Sequence, residues 1–70
     1  MNEVLKGIVK FYDQKKGYGF LIENDTKKEY FFHVTGLNDK ENLPQAKDLV
    51  VFTLTTNDKG LKATEIEIIN

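Results

Sequence analysis

The run KGYGFL at residues 16–21 is the segment of this chain whose residue types and spacing point most directly to chemistry. Side chains of a β-strand alternate between its two faces, so Tyr18 and Phe20 would project together, with Gly19 and Leu21 on the opposite face. Glycine adds no packing to a core and weakens a strand. Two large rings backed by glycine therefore indicate an aromatic face that meets a flat partner, on a strand that curls tightly.

A second aromatic run, YFFHV at residues 30–34, repeats this pattern. Here Phe31 and His33 share one face, while Tyr30 and Phe32 share the other. Because a short polar loop joins the two runs, we expect them to pair as a hairpin and to bring their outer rings together. This predicted aromatic platform consists of Tyr18, Phe20, Phe31 and His33, with Lys10 and Lys16 at its edge.

Rings and lysines in this arrangement suit a single-stranded nucleic acid. Each nucleobase stacked on an aromatic side chain contributes about 1–3 kcal/mol whatever its identity, and lysines bind the phosphates. Duplex bases are already stacked on each other, so such a platform selects single strands. The alternative is that the rings are ordinary core residues, because aromatic side chains bury readily. Against it, burying Phe20 and Phe31 would leave Leu21 and Phe32 outside, with no less apolar surface exposed.

Several residue types that catalysis uses are missing from the sequence. It contains no Ser, Cys, Trp or Arg, and His33 is its only histidine. These absences exclude a histidine-activated Ser or Cys nucleophile and a multi-histidine metal site. The acidic residues leave a carboxylate mechanism open, but a chain of 70 residues can hardly enclose a deep substrate pocket. We expect no enzyme activity, no cofactor, no metal and no small-molecule substrate.

The composition is that of one small globular domain over residues 1–70. Hydrophobic residues make up 40% of the chain, which favours a packed core over disorder. The net charge of −1 provides no bulk attraction to a polyanion. No apolar run approaches the ~18 residues of a membrane span, and residues 1–3 lack the basic region of a signal peptide. We expect a cytoplasmic monomer that contacts no membrane.

Strand signals dominate the chain, and helix signals are few. Runs rich in β-branched and aromatic residues predict five strands, which are Val4–Tyr12, Tyr18–Glu23, Glu29–Val34, Leu49–Thr56 and Leu61–Ile69. Residues 35–47 lose this periodicity and form the long connection, with room for one helical turn, and residues 57–60 form a tight turn. In the last strand, one face is predicted to carry Ala63, Glu65 and Glu67, and the other Thr64, Ile66 and Ile68.

The number and length of the strands favour a closed architecture. An open sheet of five short strands would leave both edges exposed, whereas closure into a barrel removes them. The predicted fold class is therefore all-β, a five-stranded antiparallel closed barrel of the OB-fold type, whose second and third strands often form the binding surface. An SH3-like barrel is the alternative.

Three motifs of this chain together resemble the cold-shock domain family. They are GIVKFY at residues 7–12, KGYGFL at 16–21 and FFHV at 31–34, where that family has GxVKWF, KGFGFI and VFVHF. The likeness continues through residues 51–52 and 57–63 and covers nearly the whole chain in the right order. It implies a five-stranded OB-fold barrel that binds single-stranded RNA or DNA, with a role in RNA chaperoning or cold adaptation.

Carried over residue by residue, the resemblance assigns nucleic-acid binding to a core set and a peripheral set. The core set is Lys10, Phe11, Lys16, Tyr18, Phe20, Phe31 and His33, and the peripheral set is Tyr12 and Lys59. The platform position of His33 favours stacking on a base or a hydrogen bond to it.

The chain also departs from the family pattern. Phe11 stands where the family has tryptophan, Val34 where it has an aromatic, and residues 38–45 contain no aromatic. We expect Val34 to be exposed and to border the platform. Because stacking surface is lost, the alternative function is a protein-interaction barrel with weakened or lost nucleic-acid binding.

Overall fold

The computed structural model describes residues 3–58 and 60–69 and consists of five strands and one short helix. The strands are β1 (Leu5–Asp13), β2 (Tyr18–Glu23), β3 (Glu29–His33), β4 (Leu49–Asn57) and β5 (Gly60–Ile68). Each predicted strand is confirmed to within one residue at either end. The helical turn is a 3₁₀ helix at Val34–Gly36, so it begins one residue before the predicted long connection. The predicted turn at 57–60 includes Lys59, which lies outside the described residues.

The strands close into a barrel in the spatial order β1-β2-β3-β5-β4. The predicted all-β, closed five-stranded OB-fold barrel is confirmed, with one departure from the predicted antiparallel pairing. Strands β3 and β5 pair in parallel, whereas the other neighbouring pairs are antiparallel. The physical reason is parity, because strand directions cannot alternate all the way around a closed ring of five. One neighbouring pair must run parallel.

The core follows the inward face of each strand, as the alternation of side chains requires. Leu21, Phe32, Val50 and Phe52 are completely buried, and the other buried hydrophobic residues of the core are Val9, Leu37, Ala63 and Ile66. Gly7 pairs with Glu23 and Val9 with Leu21 along this inner face of β1 and β2. With Leu21 and Phe32 inside, Phe20 and Phe31 must project outward.

Two β-bulges interrupt the regular alternation. On β1, the register passes from the Val9–Leu21 pair to the Phe11–Phe20 pair, so Lys10 is the extra residue. On β5, an extra residue lies between Thr64 and Glu67, where Glu65 has a φ of 52°. A bulge shifts the side-chain phase by one residue.

The bulge on β5 overturns the alternation predicted for that strand. Ala63 and Ile66 are both buried, although strict alternation places them on opposite faces. The phase shift at Glu65 brings both side chains inward and leaves the carboxylates of Glu65 and Glu67 outside. Within residues 3–58 and 60–69, no helix has the length and apolar character needed to cross a membrane.

Candidate nucleic-acid interface

Four aromatic rings lie together on the outer face of β1, β2 and β3. Phe20 pairs with Phe11 on one side and with Phe31 on the other, and Tyr18 lies two residues before Phe20 on the same face. The ring centroids of neighbouring members are 5.7–6.2 Å apart, which is the range of mutually packed aromatic side chains. Phe11 is 37% exposed and the other three rings are half-buried. The structure therefore brings Phe11 into contact with the predicted platform.

The bulge at Lys10 is what turns Phe11 outward. Without the extra residue, Phe11 would follow inward Val9 by two positions and point into the barrel. With it, both Lys10 and Phe11 are exposed, and Tyr12 returns to the inner side. Tyr12 stacks on the core ring of Phe32 with a centroid distance of 5.7 Å and an interplanar angle of 7°. Tyr12, the predicted peripheral contact, thus packs against the core rather than lying on the platform.

Gly19 permits the close approach of β1 and β2 beneath the rings. A Cβ atom at this position would collide with the carbonyl oxygen of Phe11 and lie 2.9 Å from the ring of Phe32. No side chain larger than glycine therefore fits there without displacing β1. The glycine between Tyr18 and Phe20 is a packing requirement of the inner face, and it allows the outer face to be aromatic.

The lysines predicted at the platform edge differ in their surroundings. The Lys10 ammonium lies 3.2 Å from a carboxylate oxygen of Glu29, and the two side chains are 52% and 49% exposed. Lys16 is exposed, and its backbone N–H donates to the Asp13 carboxylate at 3.2 Å. Lys59 lies outside the described residues. Lys10 therefore forms an ion pair with Glu29. The sequence did not predict this ion pair.

Lys62 is a platform neighbour that sequence reasoning missed. It pairs with Phe31 across the parallel contact of β3 and β5 and is half-buried. The next pair along, Phe32 with Ala63, is buried, so Lys62 shares the outer face with Phe31. No local motif could have revealed this neighbour, because the pairing exists only after the barrel closes.

His33 is the last residue of β3 and Val34 is the first residue of the 3₁₀ helix, and their side chains lie on opposite sides of the sheet. His33 pairs with Tyr18 and is half-buried at the end of the ring cluster. Val34 is also half-buried and packs against the core, with its Cγ1 3.3 Å from where a Cβ at Gly17 would lie. The prediction that Val34 is exposed is wrong. After inward Phe32 and outward His33, alternation turns residue 34 inward again, and the 3₁₀ helix starts at that point.

Residues 5–69 match the model of the 'Cold-shock' DNA-binding domain. The chain belongs to the cold-shock domain family. This is a family of nucleic-acid-binding domains.

The relatives include both small bacterial proteins and parts of larger ones. The chain is 31% identical to the cold shock-like protein CspB of Yersinia pestis, over 94% of this chain and 96% of that protein. It is 34% identical to Y-box-binding protein 1 of Xenopus laevis, over 86% of this chain but only 22% of that protein. The chain superposes on the solved structure of Drosophila Unr CSD456 with a TM-score of 0.80 at 25% identity, over 97% of this chain and 27% of that chain. The cold-shock domain thus spans about a fifth of the Y-box relative.

An aliphatic row continues the outer face of this cold-shock domain beyond its rings. Ile8 on β1 pairs with Ile22 on β2 and with Leu49 on β4. Leu49 is 44% exposed, and Ile22 lies two residues beyond Phe20 on the same face. The outer face is therefore apolar across β4, β1 and β2 as well as aromatic.

Other features of the domain lie apart from the platform. A cavity of about 270 Å³ is lined by Leu37, Asn38, Asp39, Asn42, Ile66, Glu67 and Ile68, none of which belongs to the platform. In the described part of the chain, no group of three or more His, Asp or Glu side chains is arranged to hold a metal ion.

Proposed function

We propose that this cold-shock domain binds single-stranded RNA or DNA by stacking bases on the aromatic platform and Phe11. The observation that carries the proposal is the cluster of four packed, partly exposed rings on one outer face. Exposing these rings to water is unfavourable for the folded domain. The exposed face fits a ligand that presents flat apolar surfaces. Lys16 and Lys62 supply cations for phosphates on either side of the rings, and Lys10 does so when it leaves Glu29.

The function we propose beyond binding is that of an RNA chaperone in the cytoplasm. Because base stacking is tolerant of sequence, the domain would bind single strands with little sequence selectivity. Because few lysines border the rings, the bound strand would also dissociate readily. While it is bound, a single strand cannot form a duplex, and after dissociation it is free to pair. No catalytic group or bound cofactor takes part in this scheme, and a monomer is sufficient for it.

A protein-interaction barrel is the second candidate function, and two observations favour it. The aliphatic row of Ile8, Ile22 and Leu49 provides apolar surface without rings for stacking. The Lys10–Glu29 ion pair removes one cation from the phosphate-binding set. Both features would suit a protein partner as well as a nucleic acid.

A titration with a labelled, short, pyrimidine-rich single strand separates the two candidates. The chain has no tryptophan, so fluorescence anisotropy of the labelled oligonucleotide or NMR shifts of the protein report binding. We expect saturable binding at low salt that weakens at high salt, with shifts concentrated at Tyr18, Phe20, Phe31 and His33. Absence of binding at low salt by folded protein would favour the protein-interaction barrel, and shifts confined to the aliphatic row would place the contact outside the platform.

A further inference from the structure

The imidazole of His33 is held by the backbone that follows it. The Thr35 N–H donates to Nδ1 at 3.3 Å, and the Thr35 hydroxyl oxygen lies 3.1 Å from the same nitrogen. A ring nitrogen accepts an N–H only when it carries no proton itself. The Thr35 N–H contact therefore favours the neutral tautomer of His33 that carries its proton on Nε2.

The other ring nitrogen faces a different environment. Nε2 lies 3.9 Å from where a Cβ at position 17 would be, and residue 17 is glycine. Among the residues that the structure describes, no group forms a hydrogen bond with Nε2. Because His33 pairs with Tyr18, the histidine lies next to one end of the ring cluster.

We propose that Thr35 is a positioning residue that fixes His33 in one orientation and one tautomer, so that His33 meets a bound base as a hydrogen-bond donor. The complementary group on the ligand is a carbonyl oxygen or an unprotonated ring nitrogen of a nucleobase. An unrestrained imidazole could instead present either a donor or an acceptor. The binding part of this inference rests on the proposed function, whereas the tautomer belongs to the free protein.

Nitrogen NMR of the free, ¹⁵N-labelled protein tests the tautomer directly. At a pH where the ring is neutral, we expect one species with Nδ1 unprotonated and Nε2 protonated, and a through-hydrogen-bond coupling between the Thr35 amide nitrogen and Nδ1. A protonated Nδ1, or tautomer averaging without this coupling, would overturn the assignment. This experiment needs no nucleic acid, so its result does not depend on whether the proposed function is correct.

Variants at positions 33 and 35 separate the donor from the ring. His33→Phe retains a stacking surface and loses the Nε2 donor, so affinity for the oligonucleotide should fall about 2- to 10-fold. Thr35→Val keeps the backbone N–H but loses the hydroxyl. We expect it to loosen the ring, with a smaller loss of affinity that Thr35→Ser restores. Unchanged binding by His33→Phe, in a folded protein that otherwise binds, would show that the donor contributes nothing.

Modified oligonucleotides identify the acceptor. Thymine can be replaced by difluorotoluene, a non-polar isostere of the same shape. This replacement should weaken binding to the wild type, but it should not change binding to His33→Phe, which already lacks the donor. Neutral methylphosphonate linkages in the oligonucleotide should weaken its binding to the wild type and to His33→Phe by the same factor. If methylphosphonates alone abolish the difference between wild type and His33→Phe, the acceptor is a phosphate oxygen and the proposed contact with a base is wrong.

Discussion

Phe31 on β3 and Lys62 on β5 are direct neighbours across the parallel pairing that closes the barrel, although they lie in opposite halves of the chain. The pairing places a lysine beside Phe31, at the β3 edge of the ring cluster. Lys62 is half-buried, which is typical of a lysine whose aliphatic stem covers apolar surface while the ammonium group reaches solvent. A nucleotide stacked on Phe31 would bring its phosphate within reach of this charge.

Replacing Lys62 should reduce the salt dependence of binding. Each phosphate contact with a single strand contributes a slope of about −0.7 in log affinity against log salt. Lys62→Gln should therefore weaken binding at low salt and make the slope shallower by about 0.7. The control is Lys27→Gln, which removes the same charge from the β2–β3 turn, at the opposite end of the hairpin from Tyr18 and His33. Equal effects of the two variants would mean that Lys62 acts only through net charge.

Replacing Glu29 should have the opposite effect. Glu29→Gln releases Lys10 from its carboxylate partner, so affinity at low salt should rise and the slope should steepen by about 0.7. The free energy of unfolding should change by less than about 1 kcal/mol, because exposed ion pairs contribute little to stability. Glu67→Gln makes the same change in net charge at an exposed position of β5 and is the control. Weaker binding by Glu29→Gln would show that the carboxylate itself contacts the ligand.

The total salt slope of the wild type should be modest. Two to four lysines near the platform make phosphate contacts available, so the slope should lie between about −1.5 and −3. Anisotropy titrations across a series of salt concentrations measure it. A slope beyond about −5 would mean that cationic surface away from the platform dominates binding.

The outer and inner phenylalanines should differ in what their removal costs. Phe20→Ala and Phe31→Ala should each weaken single-strand binding by about 1–3 kcal/mol. Phe32→Ala removes a completely buried ring next to Phe31 and should cost about 3–5 kcal/mol of unfolding free energy. Urea unfolding and oligonucleotide titration of the same proteins compare the two quantities. If the outer variants lose as much stability as Phe32→Ala and bind normally once folded, the rings serve the fold rather than a ligand.

Enlarging Val34 should destabilise the domain rather than extend the platform. Val34 packs between the core and Gly17, so Val34→Phe overfills this site and should cost about 1–3 kcal/mol of unfolding free energy. Affinity per folded molecule should stay the same, because the new ring is directed toward the core. Leu49→Phe enlarges an exposed side chain of the aliphatic row and should change stability by about 0.5 kcal/mol or less. Tighter binding by Val34→Phe at unchanged stability would contradict the observed packing.

The sequence by itself determined the strands and the faces of the central hairpin. Alternation is a local property, so Tyr18 and Phe20 were assigned to one face and Gly19 and Leu21 to the other without knowledge of the fold. The polar loop between β2 and β3 then brought Phe31 beside Phe20, because a short hairpin leaves little choice of register. Motifs within single strands sufficed for the family resemblance for the same reason.

Only the tertiary structure decided the features that depend on the closure of the barrel and on the inward or outward alternation of side chains along each strand. The bulges at Lys10 and Glu65 each add one residue to a strand. The residue types at these two positions do not predict a bulge. A ring of five strands must contain a parallel pair, but which pair it is, and hence that Lys62 adjoins Phe31, depends on where β4 and β5 fit into the barrel. The ion pair of Lys10 with Glu29 likewise joins side chains that only the assembled sheet brings within 3.2 Å.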